Sequence, residues 1–168
     1  LDANDPTTLP QPVPDMTAAL GSGVKGIKIG FDERYASEDL EPEIAGAIAD
    51  SVRLMEQLGA QIVPVKMPSR LREYMDAWPV ICSSEAAFAH ADTFPSRADE
   101  YGPWFRGWLS NGAAHTAADY ADANVLRAAC IGDLRLTMRG IDLLACPSTH
   151  RTPYPITHEE LYGPIPPS

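Results

Sequence analysis

The sequence is poor in basic residues and has no long apolar segment. Thirteen Lys and Arg stand against 23 Asp and Glu in 168 residues, which leaves a formal net charge of −10 at pH 7. Such a surface repels phosphate groups, so we expect neither nucleic acid nor an anionic membrane as a partner. The apolar runs are far shorter than the ~20 residues of a membrane span, and no basic-then-apolar signal precedes them. We therefore expect a soluble protein whose partners are small molecules or other proteins.

Cysteine is scarce as well. The three cysteines, Cys82, Cys130 and Cys146, form no CxxC motif, and any disulfide scheme would leave one of them unpaired. This pattern excludes a disulfide-stapled secreted scaffold and favours a reducing compartment, for which we expect the cytoplasm.

The residues that are present suit one globular domain with an excess of proline. A chain with 45% hydrophobic and 21% charged residues is neither disordered nor a coiled coil, and 168 residues leave no room for a second full domain. The 16 prolines concentrate toward the ends. We divide the chain into a Pro/Gly-rich lead-in over 1–25, an α/β body over 26–146 and a Pro-rich tail over 147–168. The ends either belong to a fragment of one larger domain or are ordinary floppy termini.

Strand, helix and strand signals follow one another after the lead-in. Residues 26–31 alternate apolar and polar side chains, as in a half-buried strand. Pro42 opens a helix beside two glutamates, and apolar residues then recur at spacings of three and four until Gly59. Residues 61–67 predict a second strand, in which Pro64 lacks an amide donor and indicates an edge or a bulge. The short joints make this a right-handed βαβ unit with parallel strands.

Two helical segments come next. Residues 71–91 have helix-forming composition and place Trp78 and Cys82 one turn apart on one face. Pro79 should kink or restart this helix. Residues 100–109 carry a bulky apolar stripe, and we expect Gly112 to end that segment.

A long helix and a third strand complete the body. Thr116 and Asp119 are spaced as in a capping box, and the helix they start runs to Gly140. Residues 141–146 then predict a buried strand stopped by a proline. The fold class is therefore α/β, a βαβ parallel unit plus helices and a third strand.

Cofactor and metal motifs are weak. Residues 21–26 match G-x-G-x-x-G, but a strand follows where a phosphate site needs a helix, so we interpret them as a flexible turn. The four histidines show no paired metal spacing; Cys146, His150 and His158 could converge, yet nothing in the tail makes them do so. We expect no metal and no cofactor.

A self-contained nucleophilic site is not visible either. Ser83 and Ser84 lie in a predicted helix, without the strained elbow or glycine-rich amides that hold an oxyanion. The only lysines are Lys25, Lys28 and Lys66, all on or beside the βαβ unit. We therefore interpret the two serines as residues of a helix face.

Taken in order, these pieces resemble the amidase signature family, in the stretch that follows its catalytic core. Each motif is short, and the resemblance rests on their order and spacing over roughly residues 5–150. The matching motifs are Asp5-Pro6 with Pro12-Val13-Pro14-Asp15, residues 26–30, Pro42-Glu43-Ile44, residues 58–63, Glu85-Ala86-Ala87 with His90, Gly112 with Asp119-Tyr120, and Asp142-Leu143-Leu144 with Pro147-Ser148.

The resemblance implies an amide hydrolase or an enzyme that transfers the amide's ammonia. Members use a serine nucleophile, a bridging second serine, a lysine base and a Gly/Ser-rich oxyanion loop, all upstream of the matched stretch. This sequence has no Gly-Gly-Ser-Ser run, and the family's closing segment would follow Ser168. His150 and Arg151 also replace the family's proline-threonine run, which leaves the geometry of that loop open. The resemblance thus implies a C-terminal-side portion of the enzyme and of its larger mixed sheet, inactive alone.

The resemblance also implies residues that contact the substrate. Trp78 matches a position where relatives place an aromatic residue near the substrate, and Cys82 lies one turn on. Arg106 matches a basic position near a polar substrate end in some relatives. Core packing for Trp78 and a solvated helix face for Arg106 remain open. We expect no catalytic residue here, a small-molecule amide as substrate, and the remainder of the enzyme chain as partner, with a homo-oligomer left open.

The rival interpretation is a non-catalytic α/β module. Such a module would bind a small ligand or a protein partner through its aromatic stripe and its acidic surface. It should be stable and monodisperse by itself, whereas a piece of a larger sheet exposes apolar strand edges and tends to associate.

Overall fold

A three-stranded parallel sheet forms one part of the structure, a computed structural model that describes residues 2–5 and 7–162. The strands are β1 (Lys28–Phe31), β2 (Gln61–Pro64) and β3 (Leu143–Ala145), in the order β2-β1-β3. Ile29 is paired with Ile62 on one side and with Leu143 on the other. The parallel βαβ unit expected from the sequence is confirmed, and β2 lies at the edge that Pro64 indicated.

The helix between β1 and β2 has the boundaries that its sequence signals predict. It is α1 (Pro42–Gln57), with Pro42 in the first turn and Val52 buried. Gly59 follows with a φ of +99°, where a Cβ would lie 3.2 Å from the Lys25 side chain. Glycine is favoured there because only a residue without a Cβ adopts this backbone conformation easily.

The third strand is less buried than its apolar sequence predicted. Among the described residues β3 pairs with β1 alone, and Leu143 is 52% exposed. A run of apolar residues shows that a strand can be buried on both faces, but the position of that strand within a sheet depends on its neighbours.

Three helices form the second part of the structure. They are α2 (Leu71–Ala89), α3 (Pro103–Ala114) and α4 (Ala117–Thr137); a short helix, α5 (His158–Tyr162), follows in the tail. Helix α2 packs against both α3 and α4. Its contact with α4 contains a small core of Ala77, Ile81 and Ala123.

No helix in the described part of the chain is both long and apolar enough to cross a membrane.

The expected restart at Pro79 and the expected helix end at Gly112 are both wrong, while a kink at Pro79 stays a prediction. Pro79 lies inside α2, which continues without a restart, and Gly112 lies inside α3 rather than at its end. Packing of α2 against a helix on each side outweighs the local cost of proline.

The capping box is confirmed: the Asp119 N–H donates to Thr116 Oγ1 at 3.1 Å, and the Thr116 N–H donates to Asp119 Oδ2 at 2.8 Å.

Asp32 is a buried carboxylate that joins the segments following β1 and β2. Its Oδ2 accepts the Met67 N–H at 2.7 Å, and its Oδ1 lies 3.8 Å from Lys66 Nζ. Burial by itself raises the pKa of Asp32, but the backbone donors, chiefly Met67, together with Lys66 outweigh it and leave the pKa below its usual value. Asp32 is therefore charged in the folded protein near neutral pH.

Glu41 attaches the segment after β3 to the start of α1. Thr152 donates both its N–H and its hydroxyl to Glu41 Oε2, each at 2.8 Å. The Glu41 N–H donates in turn to the His150 carbonyl at 3.0 Å. The two Thr152 donors lower the pKa of Glu41.

Pro6 of the first matching motif and positions 163–168 of the expected tail lie outside the described residues.

Candidate functional site

A groove of about 310 Å³ lies between α2 and α4. Trp78 and Cys82 both line it, because residues four apart lie on the same side of a helix. Its walls are mainly apolar, with a few polar groups at intervals. The lining residues are Tyr74, Ala77, Trp78, Ile81, Cys82 and Glu85 of α2, and Arg127 and Cys130 of α4.

Two tyrosine–carboxylate hydrogen bonds join the helices that form the groove. The Tyr74 hydroxyl of α2 donates to Asp133 Oδ2 of α4 at 2.6 Å. The Tyr120 hydroxyl of α4 donates to Glu85 Oε1 of α2 at 2.9 Å. The hydrogen bond to Asp133, together with burial, raises the pKa of Tyr74. The N-terminal part of α2 thus meets the C-terminal part of α4, and the C-terminal part of α2 meets the N-terminal part of α4. The two helices are therefore antiparallel.

Trp78 presents its ring to solvent rather than to the core of the described residues. Its exposed fraction is 62%. The ring centroid lies 6.5 Å from that of Trp108 on α3, with 49° between the ring planes. This neighbour restrains one side of the indole and leaves the rest available for apolar contact.

Arg106 is not in the groove. It lies on α3, half-buried, two residues before Trp108, and the groove residues come from α2 and α4. The structure therefore brings Trp78 and Cys82 together, whereas Arg106 lies on α3, whose Trp108 contacts Trp78.

Ser83 and Ser84 face the contact between helices rather than a base. The Oγ atoms of both are buried, and neither has a hydrogen-bond partner among residues 2–5 and 7–162. The backbone of Ser83 lies against Gly112 of α3. The same described residues contain no cluster of three or more His, Cys, Asp or Glu side chains that could hold a metal, and all three cysteines are free thiols.

Six groove residues were missed as site residues by the sequence reasoning: Tyr74, Ala77, Ile81, Glu85, Arg127 and Cys130. Arg127 and Cys130 are one turn apart on α4, so their shared face could have been found from helical spacing. The sequence could not show that this face meets the face of α2 that carries Trp78, because the two helices are far apart along the chain.

A second cavity, of about 380 Å³, lies beyond the carboxyl ends of the strands. Its lining includes Arg34 and Glu38 from the segment after β1, and Ser148 and His150 from the segment after β3. Arg34 Nε is 3.7 Å from Glu38 Oε2, so the two side chains largely neutralise each other. None of the residues expected to contact substrate lines this cavity.

The fold is that of the amidase signature enzymes. A bacterial aryl acylamidase belonging to that family is similar, with a TM-score of 0.69 and 23% identity, over 90% of this chain and 34% of that chain. The A subunit of glutamyl-tRNA(Gln) amidotransferase from Thermotoga maritima is also similar, with a TM-score of 0.64 and 24% identity, over 86% of this chain and 31% of that one.

The sequence belongs to the amidase family, whose family model, Amidase, matches residues 1–164. A curated relative is the A subunit of glutamyl-tRNA(Gln) amidotransferase from Pseudomonas syringae pv. syringae (strain B728a), 30% identical over 187 aligned positions, which cover 95% of this chain and 38% of that protein. The same subunit from Geobacter sp. (strain M21) is 33% identical over 147 positions, which cover 76% of this chain and 30% of that protein. The chain thus spans about a third of the length of these relatives.

Proposed function

We propose that these residues are the C-terminal-side portion of an amidase signature enzyme that hydrolyses carboxamides by a serine-based mechanism. In this proposal they supply part of the substrate funnel, and the Ser-Ser-Lys triad lies on sequence outside the 168 residues. The observation that carries the proposal is the groove beside Trp78 and Cys82 in a chain of the amidase family.

The placement of lysine and serine supports a triad elsewhere. Lys66 is exposed and pairs with Asp32, and Lys25 and Lys28 lie just before and at the start of β1, whereas both serines lie in α2. A serine nucleophile needs a base within hydrogen-bond reach, and neither Ser83 Oγ nor Ser84 Oγ has a partner among the described residues.

The groove supports a role in choosing the acyl group. Trp78 offers a large exposed ring, and Ile81 and Cys82 extend the apolar surface along α2. Contacts of this kind discriminate between substrates by roughly 1–3 kcal/mol per pocket, because they depend on apolar area rather than on directed bonds. Arg106, near Trp108, is proposed to lie close to a polar end of the substrate.

Transfer of ammonia is the second candidate reaction. The curated relatives are amidotransferase subunits, and a hydrolase and an amidotransferase need the same attack on a carboxamide. In both reactions water takes the acyl group from the enzyme; the two differ in whether the ammonia is released into solution or transferred to a second substrate.

The proposal is tested on the complete reading frame that encodes Leu1 to Ser168. We expect the upstream codons to specify a lysine and a Gly/Ser-rich stretch with two serines, and the expressed enzyme to release ammonia from a simple aryl amide. Activity should disappear when either upstream serine is changed to alanine. An upstream sequence without these residues would contradict the proposal. Incorporation of the amide nitrogen into an added acceptor, in place of free ammonia, would select amidotransfer.

Sedimentation of the 168-residue chain separates the proposal from the rival module. A portion of a larger sheet exposes the free edge of β3 and tends to associate. A well-behaved monomer that melts cooperatively would favour a non-catalytic α/β module that binds a ligand or a protein.

A further inference from the structure

The groove contains one arginine at its middle. Tyr74 meets Asp133 near one end, and Glu85 meets Tyr120 near the other. Arg127 comes six residues before Asp133 and seven after Tyr120. At a rise of about 1.5 Å per residue, its backbone position lies about 9 Å along the helix axis from that of Asp133 and about 10.5 Å from that of Tyr120.

Neither carboxylate at the ends of the groove contacts Arg127. Asp133 accepts the Tyr74 hydroxyl, and Glu85 accepts the Tyr120 hydroxyl. Across residues 2–5 and 7–162 the Arg127 guanidinium has no ion pair, and its side chain is exposed.

The chemistry around Arg127 combines a cation with apolar walls. Trp78, Ile81 and Cys130 line the same groove. A guanidinium binds a carboxylate with two parallel hydrogen bonds, and a nearby apolar wall strengthens that pairing by removing water. An apolar body of a ligand would meanwhile lie against the indole.

We propose that Arg127 is a specificity-determining residue that binds the carboxylate of an amide ligand whose apolar body lies along Trp78. This inference rests on the proposed function of the groove as a substrate wall. It adds the class of substrate: an amide that carries an anionic group beyond an aromatic or aliphatic body.

Three matched probes test the charge preference on the complete enzyme, with its upstream nucleophilic serine changed to alanine so that the amides are not hydrolysed: benzamide, para-carboxybenzamide and para-aminomethylbenzamide. Binding is followed by heteronuclear NMR of the tryptophan indole N–H signals, with the Trp78 signal assigned from Trp78→Phe. We expect the carboxylate probe to bind about tenfold more tightly than benzamide, and the ammonium probe no more tightly than benzamide. The preference for the carboxylate should fall as salt is added.

Variants at Arg127 separate charge from packing. Arg127→Gln should bring the carboxylate probe to the affinity of benzamide, while Arg127→Lys should keep part of the preference because it keeps the charge. Arg135→Gln is the control, because Arg135 is an exposed arginine of the same helix that does not line the groove. The melting temperature of each variant should equal that of the parent protein to within the small change that is usual for surface substitutions.

The outcomes distinguish this inference from the function on which it rests. If benzamide shifts the Trp78 signal but the carboxylate adds no affinity, or if Arg127→Gln retains the preference, the role of Arg127 is wrong and the groove stands. If no probe at millimolar concentration shifts the Trp78 signal, the groove is not a ligand site, and this inference fails together with the proposed role of the groove as a substrate wall.

Discussion

Gly112 of α3 lies directly against the backbone of Ser83 in α2. A Cβ at position 112 would overlap the Ser83 carbonyl group and come within 3.0 Å of the Ser84 nitrogen. The glycine therefore allows the two helices to approach closely, and Ser83 is fully buried. This contact explains a glycine inside a helix, where it otherwise costs stability relative to alanine.

Replacing Gly112 with alanine should destabilise the protein. Because the clash involves backbone atoms that no side-chain rotation relieves, we expect a loss of about 1–3 kcal/mol in the free energy of unfolding. The control is Gly107→Ala in the same helix, where nothing lies within 4 Å of the added Cβ. There the better helix propensity of alanine should leave stability unchanged or raise it by up to ~1 kcal/mol. Chemical denaturation of both variants checks this, and equal effects would contradict the close contact.

Replacing Trp78 with alanine in the complete enzyme should change substrate preference more than stability. We expect kcat/KM to fall by roughly 10–200-fold for a bulky aromatic amide relative to a small aliphatic one. The melting temperature should change little, because 62% of Trp78 is exposed. Trp104→Ala is a matched control, since Trp104 is equally exposed but lies outside the groove. An unchanged substrate ratio with a sharply lowered melting temperature would remove Trp78 from the site.

Asp32→Asn should cost stability at neutral pH and remove part of the acid sensitivity. The folded pKa of Asp32 is below its unfolded value, so its contribution is present above the unfolded pKa of about 3.9 and is lost as pH falls through the folded pKa. We expect a loss of about 1–3 kcal/mol near pH 7 and a smaller difference from the parent protein below about pH 4. Asp50→Asn, which breaks only an exposed pair with Arg53, should cost less than about 1 kcal/mol. Urea titrations across pH make the measurement, and a difference that persists unchanged in acid would be inconsistent with it.

Thr152→Val should weaken the attachment of the segment after β3 to the start of α1. It removes the hydroxyl that donates to Glu41, so we expect faster amide hydrogen exchange at residues 150–152 with little change in the sheet. Acid should have the same local effect, because the lowered pKa of Glu41 means that the attachment weakens as the carboxylate is protonated. Thr149→Val is the control, since the Thr149 hydroxyl bonds only to neighbouring Arg151. Equal exchange in the two variants would show that Glu41 does not hold the segment.

The 168-residue chain alone should not hydrolyse any carboxamide above the buffer background. No base contacts Ser83 Oγ or Ser84 Oγ in the described part of the chain, so neither hydroxyl can be activated as a nucleophile. An assay of ammonia release from a simple aryl amide makes the measurement. Turnover that disappears in Ser83→Ala or Ser84→Ala would revive a local nucleophile.

The elements predicted correctly from the sequence are those whose causes are local. Pro42 and Gly59 mark the ends of α1, and Thr116 with Asp119 caps α4, because each acts on backbone groups within a turn or two. The βαβ unit follows from short connections and the fixed handedness of the chain. The spacing of Trp78 and Cys82 likewise placed both on one face of α2.

The incorrect expectations concern residues whose role depends on a distant neighbour. The sequence predicts a kink or restart at Pro79 and a helix end at Gly112, yet α2 is continuous at Pro79 and its close contact with α3 requires glycine at position 112. The groove depends even more on tertiary contacts, because the hydrogen bonds that frame it join residues 59 and 35 positions apart. The sequence by itself determined the helices, their caps and the side of α2 that carries Trp78. Only the tertiary structure decided that Arg127 lies across from that side, since the pairing of two helix faces depends on how all their side chains pack together.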